Sequence, residues 1–384
     1  MVIIFDGRSA EHKISLLSAR NILRALDRKR FVPYLIGIDK QGRWFREEGS
    51  TILGVDVPED ARLIHLNPNA KPIDPSVLRP DDVVFPVLHG TFGEDGTIQG
   101  LLEMHDVAYV GAPVLGSAVG MDKDVTKRLL RDAGIPIVPY RVVTSHTFAR
   151  DPSLCMNAAA DLGYPLFCKP ANAGSSVGVS RVRVPADLPA ALRAAFQLDR
   201  KVLLEKAVDA REIECAVLGN EEPEASAVGE IVLARQDEDG FYSYDVKYLD
   251  PAAAEFRVPA AIEPDVAERV RTFAVWAFRV LELAGLARVD FFLDRRDGSL
   301  YLNEVNTMPG FTAGSGYPKM WAASGVEVRA LVTRLIELAI ERHAESSGRK
   351  LAATPAATTA PGTGQKAGPN DAPQGSNQDT AKSS

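Results

Sequence analysis

The first part of the chain alternates short apolar runs with a segment of helical periodicity. Four runs have the length and composition of buried strands: VIIF, VPYLIGID, VVFPVLHG and AYVGA. After the first of them, SLLSARNILRALDR carries apolar residues at helical spacing. Strands that alternate with helices in this way predict a βαβ unit built on a parallel sheet.

Two further α/β units follow, with a polar tail after them. The second contains the predicted helix MDKDVTKRLLRDAG, the strand YPLFCKPA, a glycine-rich turn and a helix at 187–198. The third runs from the strand KVLLEKAV to a helix ending near His343, and ARVDFFLD and LYLNEVN within it predict a β-hairpin centred near Asp297 and Gly298. Beyond Leu351 the chain has no large apolar residue that could offset the entropy cost of ordering. We expect an N-terminal α/β domain at 1–112, a central domain at 113–200, a C-terminal domain at 201–345 and a disordered tail at 346–384.

Composition and charge exclude several classes of protein. The chain has 384 residues, 46% of them hydrophobic, and its 44 Lys and Arg against 51 Asp and Glu give a net charge of −7. This is the composition of a globular protein, without the strong basic excess that is typical of nucleic-acid binding. No apolar run approaches the roughly 18 to 20 residues of a membrane span, and the start MVIIFDGRSAEHK lacks the layout of a signal peptide. We expect a cytoplasmic protein.

The three cysteines, Cys155, Cys168 and Cys215, are far apart and form no CxxC pair. An odd number of separated cysteines favours neither a disulfide framework nor a zinc site. Cys168 and Cys215 lie in apolar runs, so we expect them to be core thiols, as suits a reducing compartment.

The predicted hairpin carries the first candidate chemistry. Arg288 and Asp290 are two residues apart and therefore share a face of their strand. Glu304 and Asn306 have the same spacing on the second strand, and Asp290 and Glu304 are equally distant from Asp297, as cross-strand neighbours would be. Such oxygen ligands suit Mg²⁺ that holds nucleotide phosphates. The alternative is a solvated sheet face with a chance acidic pair.

A second candidate site is basic and glycine-rich. Lys169 ends an apolar strand, and the turn at 173–178 contains glycines that let backbone amides approach a phosphate, although no Walker A motif is present. Lys123 lies near a predicted helix start. An ordinary hairpin loop and a surface lysine are the alternatives. At GRSAEH, a phosphate- or substrate-binding turn competes with simple helix capping by Ser9.

Seven motifs occur in order along the chain and together carry a resemblance. They are HGTFGEDGTIQGLLE (89–103), GMDKDVTKRLLRDAGIP (120–136), KPANAGSSVGVSRV (169–182), REIECAVLGN (211–220), FYSYDVKYLD (241–250), ARVDFFLD (287–294) and NEVNTMPGFT (303–312). With them the chain resembles the D-alanine–D-alanine ligase family. The resemblance implies a three-domain ATP-grasp fold of the α/β class, with an N-terminal parallel α/β (pre-ATP-grasp) domain and two α+β domains that clamp ATP.

The same resemblance implies a reaction. ATP phosphorylates the carboxylate of one D-alanine, and the amine of a second D-alanine attacks the D-alanyl phosphate to give D-alanyl-D-alanine for peptidoglycan synthesis. The implied cofactors are ATP and two Mg²⁺ ions, for which Mn²⁺ can substitute. A homodimer formed by the N-terminal region is also implied, whereas neither a nucleic acid nor a membrane is expected as a partner.

The resemblance assigns residues of this sequence to ATP and the metal ions. Those at the nucleotide are Lys123, Lys169, Ser176, Glu205, Lys206, Glu212 and Lys247. The lysines at 123, 169 and 247 would supply charge to the phosphates, while the two glutamates would contact adenine and ribose and Lys206 the adenine edge. The implied metal ligands are Asp290, Glu304 and Asn306.

The resemblance also assigns residues to the two D-alanine molecules. They are Glu11, Ser175, Tyr248, Arg288, Gly310 and Ser315, with His89 in the substrate site. Glu11 would bind the ammonium of the first substrate, and Ser315 the carboxylate of the second. Arg288 and the Gly310 amide would stabilise the developing oxyanion, and Ser175 and Tyr248 would hold a loop at about 235–250 over the site as a lid.

Some positions depart from the family pattern. Asp6 stands where a glycine is usual, and Gly314 and Gly316 flank Ser315 where bulkier residues are usual, which predicts a looser segment. Two alternatives therefore stay open. The first is a ligase that takes D-lactate or D-serine as its second substrate, against which Tyr248 argues. The second is a catalytically weakened ATP-binding paralogue, against which the retained Arg288 and metal ligands argue.

Overall fold

Three β-sheets with helices packed on them make up the described part of the chain. The computed structural model describes residues 1–7, 12–47, 71–233 and 254–353, and the chain from Met1 to Glu345 forms one compact unit. The strands are β1 Val2–Asp6, β2 Tyr34–Ile38, β3 Trp44–Glu47, β4 Pro72–Ile73, β5 Val83–Val87, β6 Ala108–Tyr109, β7 Tyr140–Thr144, β8 Leu166–Pro170, β9 Ser180–Val182, β10 Lys201–Lys206, β11 Ala210–Gly219, β12 Glu224–Leu233, β13 Ala254–Arg257, β14 Gly285–Asp294 and β15 Leu300–Asn306. The helices are α1 His12–Ala25, α2 Thr97–Met104, α3 Val114–Met121, α4 Lys123–Asp132, α5 Ser145–Arg150, α6 Pro152–Leu162, α7 Leu188–Ala195, α8 Pro264–Val280, α9 Gly316–Ala323 and α10 Val328–Ala353.

The N-terminal sheet has six strands in the order β4-β3-β2-β1-β5-β6. The strands β2, β1, β5 and β6 are parallel neighbours, which confirms the predicted βαβ arrangement. An antiparallel edge formed by β3 and β4 was not predicted. Successive residues of β1 face opposite sides of the sheet, so Ile3 and Phe5 join one core with α1, and Val2 and Ile4 join another core.

The middle sheet is antiparallel and has the strand order β7-β10-β8-β9. Its core includes Cys168 of β8, Val202 and Leu204 of β10, and apolar residues of α6 and α7. Because β10 lies between β7 and β8 and shares their core, this sheet extends to Lys206. The predicted start of the third unit at residue 201 therefore assigns β10 to the wrong sheet, while the other domain boundaries stay predictions.

The third sheet has five antiparallel strands in the order β13-β12-β11-β14-β15. The hairpin of β14 and β15 confirms the prediction: Asp290 faces Glu304, and a register shift follows directly after Asp290. Gly298 adopts a positive φ of 71° in the turn, a conformation that glycine adopts without strain. One face of the sheet packs on α8, which leaves Glu212, Glu214, Arg288 and Asp290 on the opposite face.

Two helix predictions differ from the structure. The segment predicted as one helix from Met121 is divided at Asp122, whose extended backbone ends α3. The Asp122 side chain accepts hydrogen bonds from the N–H groups of Asp124 and Val125 and so caps α4. The helix predicted to end near His343 continues to Ala353.

Helix α10 therefore includes the first residues of the predicted disordered tail. The segment AESSGRKLAA is rich in residues with high helix propensity, which explains why the helix continues where large apolar residues become rare. The rest of that tail lies outside the described residues.

The prediction that Cys168 and Cys215 are core thiols is confirmed, since both are buried, and Cys155 is buried as well. Burial raises the pKa of Cys168 and of Cys215 to about 12, so both thiols are kept in the unreactive protonated form. Within the described residues, no helix combines the length and apolarity needed to cross a membrane.

Candidate active site

A cleft between the middle sheet and the five-stranded sheet collects most of the charged residues that the sequence analysis selected. Strands β8, β11, β14 and β15, the turn after β8 and the start of α4 all contribute to its lining. Its charged and polar side chains are Lys123, Lys169, Ser176, Glu212, Glu214, Asp290, Asn303 and Glu304. Lysines come from one side and carboxylates mainly from the other, so the cleft has two walls of opposite charge.

On the basic wall, two lysines share one buried carboxylate. Lys169 Nζ donates to Glu205 Oε1 at 2.5 Å, and Lys127 Nζ lies 2.8 Å from Glu205 Oε2. The side chains of Lys127 and Glu205 are each 1% exposed, and that of Lys169 is 9% exposed. We call Lys127, Glu205 and Lys169 the basic triad.

Burial and charge act in opposite directions within the basic triad. Burial alone would raise the pKa of Glu205, but the two ammonium groups outweigh it and hold this pKa below its usual range. Burial lowers the pKa of Lys127, while the adjacent Glu205 carboxylate opposes that change. The rings of Phe167 and Phe292 each lie 5.7 Å from Lys169 Nζ and add favourable cation–π contacts.

Lys123 connects the glycine-rich turn to the opposite wall. Its backbone N–H donates to Ala171 O, its Nζ donates to Ala173 O at 2.6 Å, and the same Nζ lies 3.7 Å from Glu304 Oε2. The turn itself contains Ser175 and Ser176 at positive φ, which shows a tightly folded connection between β8 and β9. The predicted turn is confirmed, and a phosphate could meet its backbone beside a lysine.

On the acidic wall, one guanidinium is shared by two carboxylates. Glu214, Asp290 and Glu304 form a row across β11, β14 and β15. Arg288 donates through Nε and Nη2 to the two oxygens of Asp290, at 2.7 Å each, and its Nε lies 3.3 Å from Glu214 Oε2. We call Glu214, Arg288 and Asp290 the acidic triad. Burial disfavours the charged guanidinium, but the carboxylates outweigh it and hold the pKa of Arg288 well above its ordinary value.

The donor set of the acidic wall fits Mg²⁺ that is shared with phosphate. Asp290 and Glu304 face each other across two strands, and Asn306 donates to Asp290 Oδ2 at 3.0 Å, which leaves its own amide oxygen available as a ligand. In the described ranges, no group of three or more His, Cys, Asp or Glu side chains could hold a metal ion. An ion here would therefore need phosphate oxygens to complete its coordination, as Mg²⁺ commonly does.

The segment after β15 carries the predicted residues for the second substrate. Ser315 Oγ accepts a hydrogen bond from Thr312 N, and it lies so close to Gly310 that a Cβ there would be 2.8 Å away. Helix α1 fixes this segment because Ser18 Oγ accepts from Phe311 N and Asn21 Nδ2 donates to Phe311 O, each at 3.0 Å.

The expectation of a loose segment around Ser315 is wrong at Gly316. This residue is buried, and an added Cβ would lie 2.6 Å from Glu214 Oε2 and 2.7 Å from the Phe256 ring. Gly314 is exposed, and a Cβ there would meet only Thr312 Oγ1, at 3.7 Å. Position 316 therefore requires glycine, because the backbone there passes close to Glu214 of the acidic triad, whereas position 314 has room for a side chain.

The HGTFGEDG turn joins the N-terminal sheet to the same segment. His89 Nδ1 lies 2.9 Å from Met308 O, and Glu94 accepts hydrogen bonds from Met308 N at 3.1 Å and from Gly90 N at 2.6 Å. His89 also borders a second cleft beside Asp6 and Gly7. The contact with Met308 gives His89 a structural role, and its place in the substrate site stays a prediction.

Comparisons with known proteins identify the family. The model of the N-terminal part of D-Ala D-Ala ligases matches residues 1–112, and that of the C-terminal part matches residues 129–337. The chain belongs to the D-alanine–D-alanine ligase family. Its family resemblance and its ATP-grasp fold, both predicted from the sequence, are thereby confirmed.

Individual family members cover almost the whole chain. D-alanine–D-alanine ligase A of Chromobacterium violaceum is 51% identical over 88% of this chain and 94% of its own length, and ligase A of Escherichia coli K12 is 47% identical over 91% and 97%. The D-alanine–D-alanine ligase structure from Coxiella burnetii has a TM-score of 0.76 at 34% identity, covering 91% of this chain and 96% of that chain. The VanG D-Ala:D-Ser ligase from Enterococcus faecalis has a TM-score of 0.75 at 34% identity, covering 88% and 98%.

The residues expected from the family resemblance differ in where they lie. Most of them border the cleft or the segment after β15, but Glu11, Lys247 and Tyr248 lie outside the described residues. Lys206 is exposed at the end of β10. The carboxylate of Glu205 is 1% exposed and lies between two ammonium groups. The contact of Glu205 and Glu212 with the adenine and ribose side of ATP stays a prediction.

Two residues of this family member were missed in the sequence analysis. Lys127 is three residues before the buried Leu130, a helical spacing that places both on the inner side of α4. Glu214 follows Glu212 at the alternate spacing of a strand, which places both carboxylates on one face. Both signals are present in the sequence. Lys127 is a charged residue at a position where the helical periodicity predicts burial, and Glu214 is a second carboxylate on the strand face that carries Glu212.

Proposed function

We propose that this chain joins two D-alanine molecules to D-alanyl-D-alanine in the cleft between the middle and five-stranded sheets, through a D-alanyl phosphate intermediate. The chain is an ATP-dependent ligase of its family. The observation that carries the proposal for the site is the pair of opposed walls, with lysines on one side and carboxylates with an amide on the other. Such a cleft suits a polyphosphate that brings divalent metal with it.

The first half-reaction is phosphoryl transfer to a carboxylate. A carboxylate is a poor electrophile, and the transfer requires positive charge across the phosphates. Lys169 and Lys123 would provide that charge from the basic wall and from the start of α4. Asp290, Glu304 and Asn306 would hold two Mg²⁺ ions, which would offset the negative charge of the phosphates.

Other cleft residues would hold the rest of the nucleotide. Glu212 lines the cleft on β11, where its carboxylate would accept hydrogen bonds from the ribose. Ser176 would meet the phosphates from the glycine-rich turn, and Lys206 would lie at the adenine edge. Lys247, which lies outside the described residues, would add charge near the phosphates.

The second half-reaction is attack of an amine on the acyl phosphate. Arg288 and the Gly310 N–H would stabilise the negative charge that develops on the acyl oxygen. Ser315 would bind the carboxylate of the second D-alanine. Glu11 would hold the ammonium of the first substrate, with Ser175 and Tyr248 keeping a lid closed against water.

The experiment is phosphate release from ATP in the presence of Mg²⁺ and D-alanine, with the product identified by mass. Parallel reactions offer D-lactate or D-serine together with D-alanine. D-Alanyl-D-alanine as the dominant product supports the proposal. A dominant mixed product would move the assignment to the lactate or serine class, to which VanG belongs as a D-Ala:D-Ser ligase. Absence of D-alanine-dependent phosphate release would contradict both and favour an ATP-binding paralogue.

The proposal also includes the assembly and location of the protein. A homodimer is proposed from the family resemblance, and analytical ultracentrifugation would test it. A cytoplasmic location is supported by three free, buried thiols, which suit a reducing compartment. Cell fractionation would test this part of the proposal.

A further inference from the structure

The basic triad contains one lysine that does not border the cleft. Lys169 lines the cleft, whereas Lys127 lies on α4 with its side chain 1% exposed. Among the described residues, the ammonium group of Lys127 contacts only the Glu205 carboxylate, at 2.8 Å. Lys127 can therefore influence a ligand in the cleft through its charge and through its contact with Glu205, without touching the ligand.

Charge counting shows what Lys127 changes. Lys169 and Glu205 alone form a neutral pair, so Glu205 would cancel much of the attraction between Lys169 and a phosphate. With Lys127 added, two ammonium groups face one carboxylate, and the triad keeps one net positive charge. These groups are shielded from water, so the electric field of that charge is weakly screened.

Stability alone is a weak reason for this arrangement. Burying charged groups costs desolvation energy, and apolar residues of similar volume often give equal or greater stability than a buried ion pair. A second lysine, fully enclosed beside a first one, adds a further cost from the repulsion between like charges. Perturbed, buried charges of this kind cluster at functional sites.

We propose that Lys127 is a positioning residue for nucleotide binding: it offsets the charge of Glu205, so that Lys169 stays oriented in the cleft with a net positive charge for the phosphates. The inference rests on the proposed binding of ATP by Lys169. Glu205 then links the two lysines. The role of Lys127 is electrostatic and is directed at the phosphate groups.

The test is the affinity of the full chain for ATP with Mg²⁺, measured by calorimetry without D-alanine. Lys127→Met removes the buried charge with little change in volume, and it should weaken ATP binding by at least about tenfold, as expected for one charge near phosphates at moderate effective dielectric. Binding of adenosine, measured by competition, should stay within about twofold, because adenosine carries no phosphate.

Lys201→Met is the matched control. Lys201, like Lys127, forms ion pairs at α4: its Nζ lies 2.6 Å from Asp122 Oδ2 and 3.2 Å from Asp124 Oδ2. Among the described residues, Lys201 pairs with neither Glu205 nor a residue that lines the cleft. This variant should bind ATP as the unmodified chain does, even where its melting temperature falls. A purely structural role for Lys127 predicts that both variants lose stability and that both keep their ATP affinity.

The double variant Lys127→Met/Glu205→Gln adds a second, independent test. It removes one charge of each sign, leaves Lys169 with its positive charge, and avoids an unpaired buried ion. ATP affinity should return to within about threefold of the original. Unchanged ATP binding by Lys127→Met, or a tenfold loss that persists in the folded double variant, would overturn the inference. Failure of the unmodified chain to bind ATP would instead overturn the proposed function.

Discussion

Each wall of the cleft carries a cluster of three charged side chains. The two clusters have the same arrangement and opposite net charges. In the basic triad, one carboxylate is shared by two lysines, and in the acidic triad one guanidinium is shared by two carboxylates. Each cluster therefore keeps one net charge of the sign of its wall. The cleft between them can attract both a polyphosphate and the cations that accompany it.

The two triads differ in burial. The side chains of Lys127 and Glu205 are each 1% exposed, whereas Arg288 is 20% exposed and Asp290 is 13% exposed; the third members, Lys169 at 9% and Glu214 at 6%, are similar to each other. Lys127 and Glu205 are almost completely buried, so they cannot exchange partners without leaving a buried charge unpaired. Arg288 and Asp290 can exchange partners, because water and ligand groups reach their partly exposed side chains. We infer that the basic triad sets the field in the cleft, and that the acidic triad changes its contacts when ligands bind.

Arg288→Ala should have the largest effect, because it removes the shared group of the acidic triad. We expect kcat to fall roughly 100- to 1000-fold, the usual result of losing an oxyanion donor. Arg288→Lys should restore little of the lost kcat, because an ammonium group cannot form the bidentate contact that the guanidinium makes with Asp290. Arg211→Ala is the matched control, since Arg211 also pairs with a glutamate on the same sheet. Near-normal turnover of Arg288→Ala would remove this residue from the mechanism.

Glu304→Gln should have the next largest effect, and it distinguishes metal binding from simple charge. The variant keeps the shape of the side chain but replaces a charged carboxylate ligand with a neutral and weaker amide ligand, so the Mg²⁺ concentration for half-maximal activity should rise about 10- to 100-fold. Glu255→Gln, an exposed substitution on β13 of the same sheet, should leave the Mg²⁺ dependence unchanged. An equal Mg²⁺ dependence in both variants would contradict a metal role for Glu304.

The sequence predicts the acidic wall better than the basic wall. The hairpin of β14 and β15 could be predicted because a strand places alternate residues on one face and the turn defines the pairing, so Asp290 faces Glu304 as expected. The partners within the basic triad come from α4, β8 and β10, which are distant in sequence. No local periodicity indicates that Lys127 and Lys169 meet the same carboxylate.

The boundary after residue 200 was misplaced for a similar reason. Strand β10 follows a helix and precedes β11 closely, so sequence order suggests that it begins a new unit. Its pairing with β7 and β8 is a long-range contact, determined by the burial of Val202 and Leu204 in the middle core. Tertiary burial of this kind is not visible in a local pattern.

Gly316→Ala should have a smaller effect, on stability more than on chemistry. The added methyl group would collide with Glu214 Oε2 and the Phe256 ring, and overpacking of this kind costs about 1–3 kcal/mol of unfolding free energy. Gly314→Ala is the matched control, because the space there is open and the unfolding free energy should change by less than about 0.5 kcal/mol. Equal denaturant stability of the two variants would show that Gly316 tolerates a side chain and that the acidic triad has room to shift.

The smallest effect is expected at the ion pair of Arg211 and Glu230, which lies away from the cleft. Burial alone would raise the pKa of Glu230, but the Arg211 guanidinium outweighs it and lowers this pKa from about 4.5. A lowered pKa in the folded state means that the ionised carboxylate stabilises the fold above pH 4.5 and that this contribution is lost as the pH falls through the lower, folded-state value. Arg211→Gln should therefore reduce the unfolding free energy by about 1 kcal/mol at pH 7, and the difference should shrink on acidification below pH 4.5. Urea unfolding of both proteins across this range provides the measurement, and a difference that grows on acidification would contradict the stabilising pair.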